Sequence, residues 1–234
     1  MIALMLGSAP NAVLARDWPR APFDRITCIN NAWAIRDDWD DLVVPWDFPE
    51  DRRPPTISAS QHLILQEDFV PAQNAYGGFV YAGGTMAFTT AYWMLHALRP
   101  RVIAVLGCDM HYPATGPTHF YGTGTPDPLR ADITLRSLEA KSARLLILAA
   151  RQGCAMVNLS TRPSRLVFPR ATPLNLPAAP APFNEPLAEA ALAEEAALDY
   201  MVSSGRYWEE AHRFDPAKLD ALDALWLKAA SAHS

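Results

Sequence analysis

Apolar positions recur along the chain in two patterns. Six short apolar or β-branched runs have strand length: Ile2–Leu6, Ile26–Ile29, Leu42–Val44, His62–Leu65, Val102–Leu106 and Ala155–Leu159. Two longer stretches carry apolar residues at helical spacing. Thr85–Leu98 (TMAFTTAYWMLHAL) opens after Gly83-Gly84 and stops at Arg99-Pro100. Asp132–Gln152 (DITLRSLEAKSARLLILAARQ) begins at an acidic cap and ends at Gly153. Strands alternating with helices predict a doubly wound, mainly parallel α/β sheet covered on both faces, Rossmann-like in class.

The pattern changes after residue 162. RPSRLVFPRATPLNLPAAPAPFNEP is proline-rich and is expected to be extended and non-helical. Beyond it, Leu187–Ser203 and Pro216–Ala230 read as amphipathic helices. The expected organisation is a nucleotide-binding domain over 1–162, a linker over 163–186 and a C-terminal helical tail over 187–234.

Composition fits this picture. The chain has 234 residues, 50% hydrophobic and 19% charged, enough for a globular core rather than a disordered chain. The net charge of −5 comes from the tail. Residues 171–234 hold 10 Asp and Glu against 4 Lys and Arg; residues 1–170 hold 15 against 16. With no basic block, nucleic-acid binding is not expected. An acidic tail also disfavours anionic lipid. It is expected to pack on protein, either its own domain or, through the C-terminal helices, a second copy in a homo-oligomer. The three cysteines, Cys28, Cys108 and Cys154, show no CxxC spacing and read as reduced, buried thiols. No run reaches the ~18 apolar residues of a membrane span, and MIALML lacks the basic leader and length of a signal peptide. A soluble, cytoplasmic protein is the expectation.

Ligands of an open parallel sheet bind at the carboxyl ends of its strands, so the residues following each strand are the candidates. After the first come Gly7, Ser8 and Asn11, a tight turn with side chains able to bind a ligand or to cap a helix. The segment matches neither GxGxxG nor a Walker loop. After the second, Asn30 and Asn31 offer donors and acceptors to a base or sugar edge, or form an Asx turn. After the third, Asp47 lies in an acidic loop. Tyr76–Thr85 (YGGFVYAGGT) carries four glycines and leads into the Thr85 helix, whose N-terminus suits an anion; a glycine-rich hairpin is the plainer reading. Gly107–Gly122 (GCDMHYPATGPTHFYG) is the richest stretch, with Asp109 at a strand end and His111 and His119 as proton carriers near neutral pH. No histidine spacing typical of zinc occurs, and no metal is expected.

Taken in order, GSAP, CINNAW, AGGTMAFTTAYWMLHAL, RVIAVLGCDMHY and THFYG resemble the bacterial α-2,3/2,8-sialyltransferases of glycosyltransferase family 42. The wider group includes flagellin-modifying glycosyltransferase-like proteins and archaeal 6-hydroxymethylpterin diphosphokinases. The resemblance covers about residues 2–160. It implies a GT-A-like single domain and metal-independent transfer from a nucleotide-sugar donor such as CMP-sialic acid to a glycan acceptor hydroxyl, with no further cofactor. By position it implies that Ser8, Ala9 and Asn11 hold the CMP phosphate and ribose and that Asn30 contacts the nucleotide sugar. Gly83, Gly84 and Thr85 would lie beside the cytidine, and Gly107 and Asp109 at the strand end. Tyr76 or Tyr81 would bond the departing phosphate. Thr123 stands where the family has its general-base histidine, which leaves His119 or His111 for that role. The segment between the third strand and the glycine-rich stretch is also shorter than in the family. Two alternatives remain open: diphosphokinase-like phosphoryl transfer with ATP and magnesium on Asp109 and Asp47, and a non-catalytic nucleotide-binding protein.

Overall fold

The computed structural model of the chain describes residues 1–112, 115–124 and 130–231. Six strands make one all-parallel sheet: β1 (Ile2–Leu6), β2 (Arg25–Ile29), β3 (Asp41–Val43), β4 (His62–Ile64), β5 (Val102–Leu106) and β6 (Ala155–Asn158). Their spatial order is β4-β3-β2-β1-β5-β6. The chain therefore builds outward from β1 to β4, then crosses back to lay β5 on the other side of β1. The strand order reverses between β1 and β5, whose last residues, Leu6 and Leu106, pair in register.

Alternation along each strand sends side chains to two cores. Ala3, Met5, Ile103, Val105 and Met156 face one; Ile2, Leu4, Leu6, Val102, Ala104, Leu106 and Val157 face the other. Every residue of β1 and β5 is buried, as expected of a sheet covered on both faces. The second core is closed by two 3-10 helices, Pro10–Asp17 and Asn30–Ile35. The first is closed by α1 (Gln66–Asn74), α2 (Phe79–Ala82), α3 (Met86–Trp93) and α4 (Leu138–Arg151).

Helix ends follow local chemistry. The Thr85 hydroxyl accepts from the Phe88 N–H and starts α3, which continues as a π turn, Met94–Leu98, and stops at Arg99 (φ 47°) ahead of Pro100. Asp132 caps only a short 3-10 turn, Ile133–Leu135; Ser137 caps α4, six residues later than the sequence predicts its start. The glycine-rich Tyr76–Thr85 segment forms the short helix α2 rather than a hairpin.

The C-terminal part belongs to the same body. Residues 163–184 contain no helix, as expected, yet they are no free spacer. Leu166 and Phe168 are buried, and the segment bonds along β6 through Asn158 N–H to Pro169 O and Ala171 N–H to Asn158 O. Helices α5 (Glu185–Leu198) and α6 (Pro216–Ala230) pack on each other, and α6 packs on α4. Leu219, Leu222 and Trp226 of α6 join the first core. The acidic tail thus covers its own domain. Residues 232–234 of the expected tail lie outside the described residues. No helix among the described residues is long and apolar enough to cross a membrane.

Candidate functional site

Two glycines let the β1 and β5 loops close on each other. The Gly7 N–H donates to Leu106 O and the Ala9 N–H to Gly107 O. A Cβ on Gly7 would lie 2.3 Å from Gly107 O, and one on Gly107, itself at φ 78°, would lie 2.6 Å from the Ala12 Cβ. No larger residue fits either position. Beyond this point the loops diverge around a cleft of about 710 Å³ at the carboxyl ends of the strands. This is where an open parallel sheet presents ligands.

The cleft gathers many of the residues singled out in the sequence. Gly7, Ser8, Ala9, Asn30, Asn31, Thr85, Gly107, His111 and His119 all line it. Asn30 stands at φ 52°, a left-handed backbone that few residues other than glycine adopt. Its Oδ1 is buried and has no hydrogen-bond partner among the described residues. Strain and an unsatisfied acceptor together are expected of a ligand contact more than of a scaffold. The first turn of α3 supplies Met86 and Ala87 to the wall. An α-helix cannot bond the N–H groups of its first turn internally, and they carry the positive end of its dipole.

His119 has the most defined chemistry. Its Nδ1 lies 2.9 Å from the Thr118 hydroxyl, which also meets Gly124 O at 3.2 Å and Gly124 N at 2.9 Å. Thr118 has one hydroxyl proton, and Gly124 O can only accept it. The arrangement that satisfies every group has His119 Nδ1–H donating to Thr118, which leaves Nε2 as an acceptor with no hydrogen-bond partner among the described residues. Tyr121 stacks on the imidazole at 5.0 Å. Burial pulls the His119 pKa below its ordinary value, keeping the ring neutral. His111 is exposed at the rim. Of the loop between them, Pro113 and Ala114 lie outside the described residues. Cys108 reaches the cleft too, but burial, with Asp109 beside it, pushes its pKa up, so it is an inert thiol. The other two cysteines are buried and unpaired, as the sequence predicts.

Six of the expected site residues stand elsewhere. Asp109 is 3% exposed, and its carboxylate accepts from Asn11 Nδ2 (3.0 Å), Ser160 Oγ (2.7 Å) and Asn158 Nδ2 (3.3 Å). Asp109 and Asn11 therefore brace the loops of β1, β5 and β6 from behind. Tyr81 donates to Glu195 O and accepts from the Tyr200 N–H, both at 2.8 Å. The Tyr76 hydroxyl accepts from Gln152. Tyr81 sits under α5 and Tyr76 packs on Tyr92 and His96, so neither is at the cleft. Gly83 packs on Phe88 and Lys141, and Gly84 borders a second cavity. Sequence reasoning missed Thr118, Trp33 and Arg52 as wall residues. Trp33 was legible beside the paired asparagines, whereas Arg52, on an exposed 3-10 turn after β3, left no signal.

No family model, curated protein or solved structure matches the chain. Among the described residues, no group of three or more His, Cys, Asp or Glu side chains is placed to hold a metal ion.

Proposed function

We propose that the cleft binds a CMP-activated sugar and that the protein is a sialyltransferase-like glycosyltransferase. The observation that carries this reading is His119, which lines the same cleft as Ser8, Asn30 and the first turn of α3 and whose Nε2 has no partner among the described residues. In the proposed step the acceptor hydroxyl gives its proton to His119 Nε2 as its oxygen bonds the anomeric carbon. The bond from that carbon to the CMP phosphate oxygen breaks, and CMP leaves with the electron pair. General-base assistance of this kind contributes about 10²–10⁴ in rate.

The tyrosines that the resemblance assigns to the phosphate do not reach the cleft. In their place we assign the Ser8 hydroxyl and the N–H groups of Met86 and Ala87, with Asn30 on the nucleotide. A donor aimed at developing charge in such a site is worth about 3–4 kcal/mol to the transition state. Phosphoryl transfer is the weaker reading, since the Asp109 carboxylate that would carry magnesium is already bonded internally.

Thermal shift against CMP, CDP, UDP, GDP and ATP, each with and without magnesium, tests the proposal. Stabilisation by CMP that is indifferent to magnesium is expected, about 2.7 kcal/mol at 100 times its Kd. A response to ATP that requires magnesium, or none to CMP, overturns it. CMP-sialic acid is the donor to assay next.

A further inference from the structure

A second cavity, of about 730 Å³, adjoins the cleft, and Met86 in the first turn of α3 lines both. Of the chain's seven tryptophans, only Trp46 and Trp208 are exposed, at 70% and 56%. Both line this cavity, although they come from the loop after β3 and from the turn between α5 and α6. Two distant segments that each leave an indole in water at one cavity mark a binding surface rather than scattered exposure. Phe79 and Tyr207 stack behind them at 6.2 Å, and Trp208 meets Tyr207 edge-on at 5.4 Å.

The polar lining selects among ligands. Gln66 and Glu67 stand on the wall, with Gln66 donating to Glu67. Arg130 pairs with Asp132 at 3.0 Å and also donates to Gly84 O and the Tyr207 hydroxyl. Arg206 pairs with Glu209 at 3.6 Å. The cations are matched by carboxylates, so the cavity does not favour an anion such as a phosphate. A wholly apolar ligand would strip water from Glu67 and Glu209 without replacing its hydrogen bonds. A neutral saccharide meets both demands: its C–H faces stack on indole rings, and its hydroxyls bond to carboxylate, amide and guanidinium groups.

We propose that this cavity is a saccharide site in which a neutral sugar ring packs on Trp46 and Trp208. Its role as the acceptor site rests on the glycosyltransferase reading; saccharide binding itself does not. An acceptor held there lies beside the first turn of α3, next to the cleft assigned to the donor.

The two indoles supply the measurement. Intrinsic tryptophan fluorescence of the full chain is titrated with lactose, N-acetyllactosamine and chitotriose, alongside Trp208→Ala, Trp46→Ala and Trp46→Phe. Saturable quenching or a spectral shift with at least one saccharide is expected. Its Kd should rise about tenfold or more in each alanine variant, with partial recovery in Trp46→Phe. Both side chains are exposed, so the variants should melt with the parent. No response to any saccharide at about 10 mM, in the range of a weak single-ring site, or a Kd unchanged in both alanine variants, overturns the proposal. The CMP shift, read on the same samples, should be unchanged by these substitutions. Saccharide binding without a CMP shift overturns the donor reading and keeps this site; a CMP shift without saccharide binding does the reverse.

Discussion

Arg144 on α4 and Glu195 on α5 form a buried, two-pronged ion pair, with Nε to Oε1 at 2.6 Å and Nη2 to Oε2 at 2.7 Å. The same guanidinium donates to the Tyr92 hydroxyl and to Tyr76 O, and the Trp226 indole of α6 donates to Glu195 Oε1. One charged pair thus joins the domain to both C-terminal helices. Burial pulls the Arg144 pKa down, but Glu195 and Tyr92 outweigh it and the net shift is upward. Glu195→Ala would leave this guanidinium buried and unpaired. It should cost about 3–5 kcal/mol, read from the denaturant midpoint, whereas the double change Arg144→Met with Glu195→Leu should recover much of that loss. A loss below about 1 kcal/mol would mean that the pair behaves as a surface salt bridge.

His119 should govern the acid limb of activity. Its pKa lies below the ordinary 6.5 because burial disfavours the imidazolium. A base must be unprotonated to act, so kcat/KM should hold as pH falls through 6.5 and drop only below it. His119→Ala should lower kcat about 10²–10⁴-fold and leave the CMP shift intact. The rim residue His111 should tolerate the same change. An acid limb that persists in His119→Ala would remove His119 from the role.

Asp109 and Asn30 should separate support from contact. Asp109→Asn places an amide among three donors that now point at a carboxylate, leaving at least one of them unsatisfied. It should lower stability by about 1–3 kcal/mol, and any loss of CMP affinity should track that instability. Asn30→Gly keeps the φ of 52° at little conformational cost and removes only the side chain. Stability should change by less than about 1 kcal/mol while the CMP Kd rises about tenfold. Normal CMP binding in Asn30→Gly would show that this strained residue serves the turn alone.

Much of the architecture was readable in the chain. The six apolar runs became the six strands within about a residue at each end, most closely at the central β1 and β5, where burial on both faces demands apolar residues throughout. The glycines at the ends of β1 and β5 were legible only as turn and strand-end residues; the structure shows that they flank the switch point, where each accommodates a contact that a Cβ would block. Helix α1 was not legible. It is a single short element with Pro71 inside it, held in place by packing against α3 rather than by its own pattern.

The sequence by itself determined the strands, the main helices and the short list of polar residues at strand ends. These depend on local spacing and on the demand that apolar runs be buried. Only the tertiary structure decided which residues face the cleft. Asp109 and His119 share one loop, yet the first turns inward to Asn11, Ser160 and Asn158 and the second outward to the cleft wall. Tyr81 looked like a site residue until Glu195 of α5 and Tyr200, more than a hundred positions later, bonded its hydroxyl, and Tyr76 until Gln152 at the end of α4 bonded its own. Hydrogen-bond partners so distant in sequence are set by how layers stack, and no local pattern encodes that choice.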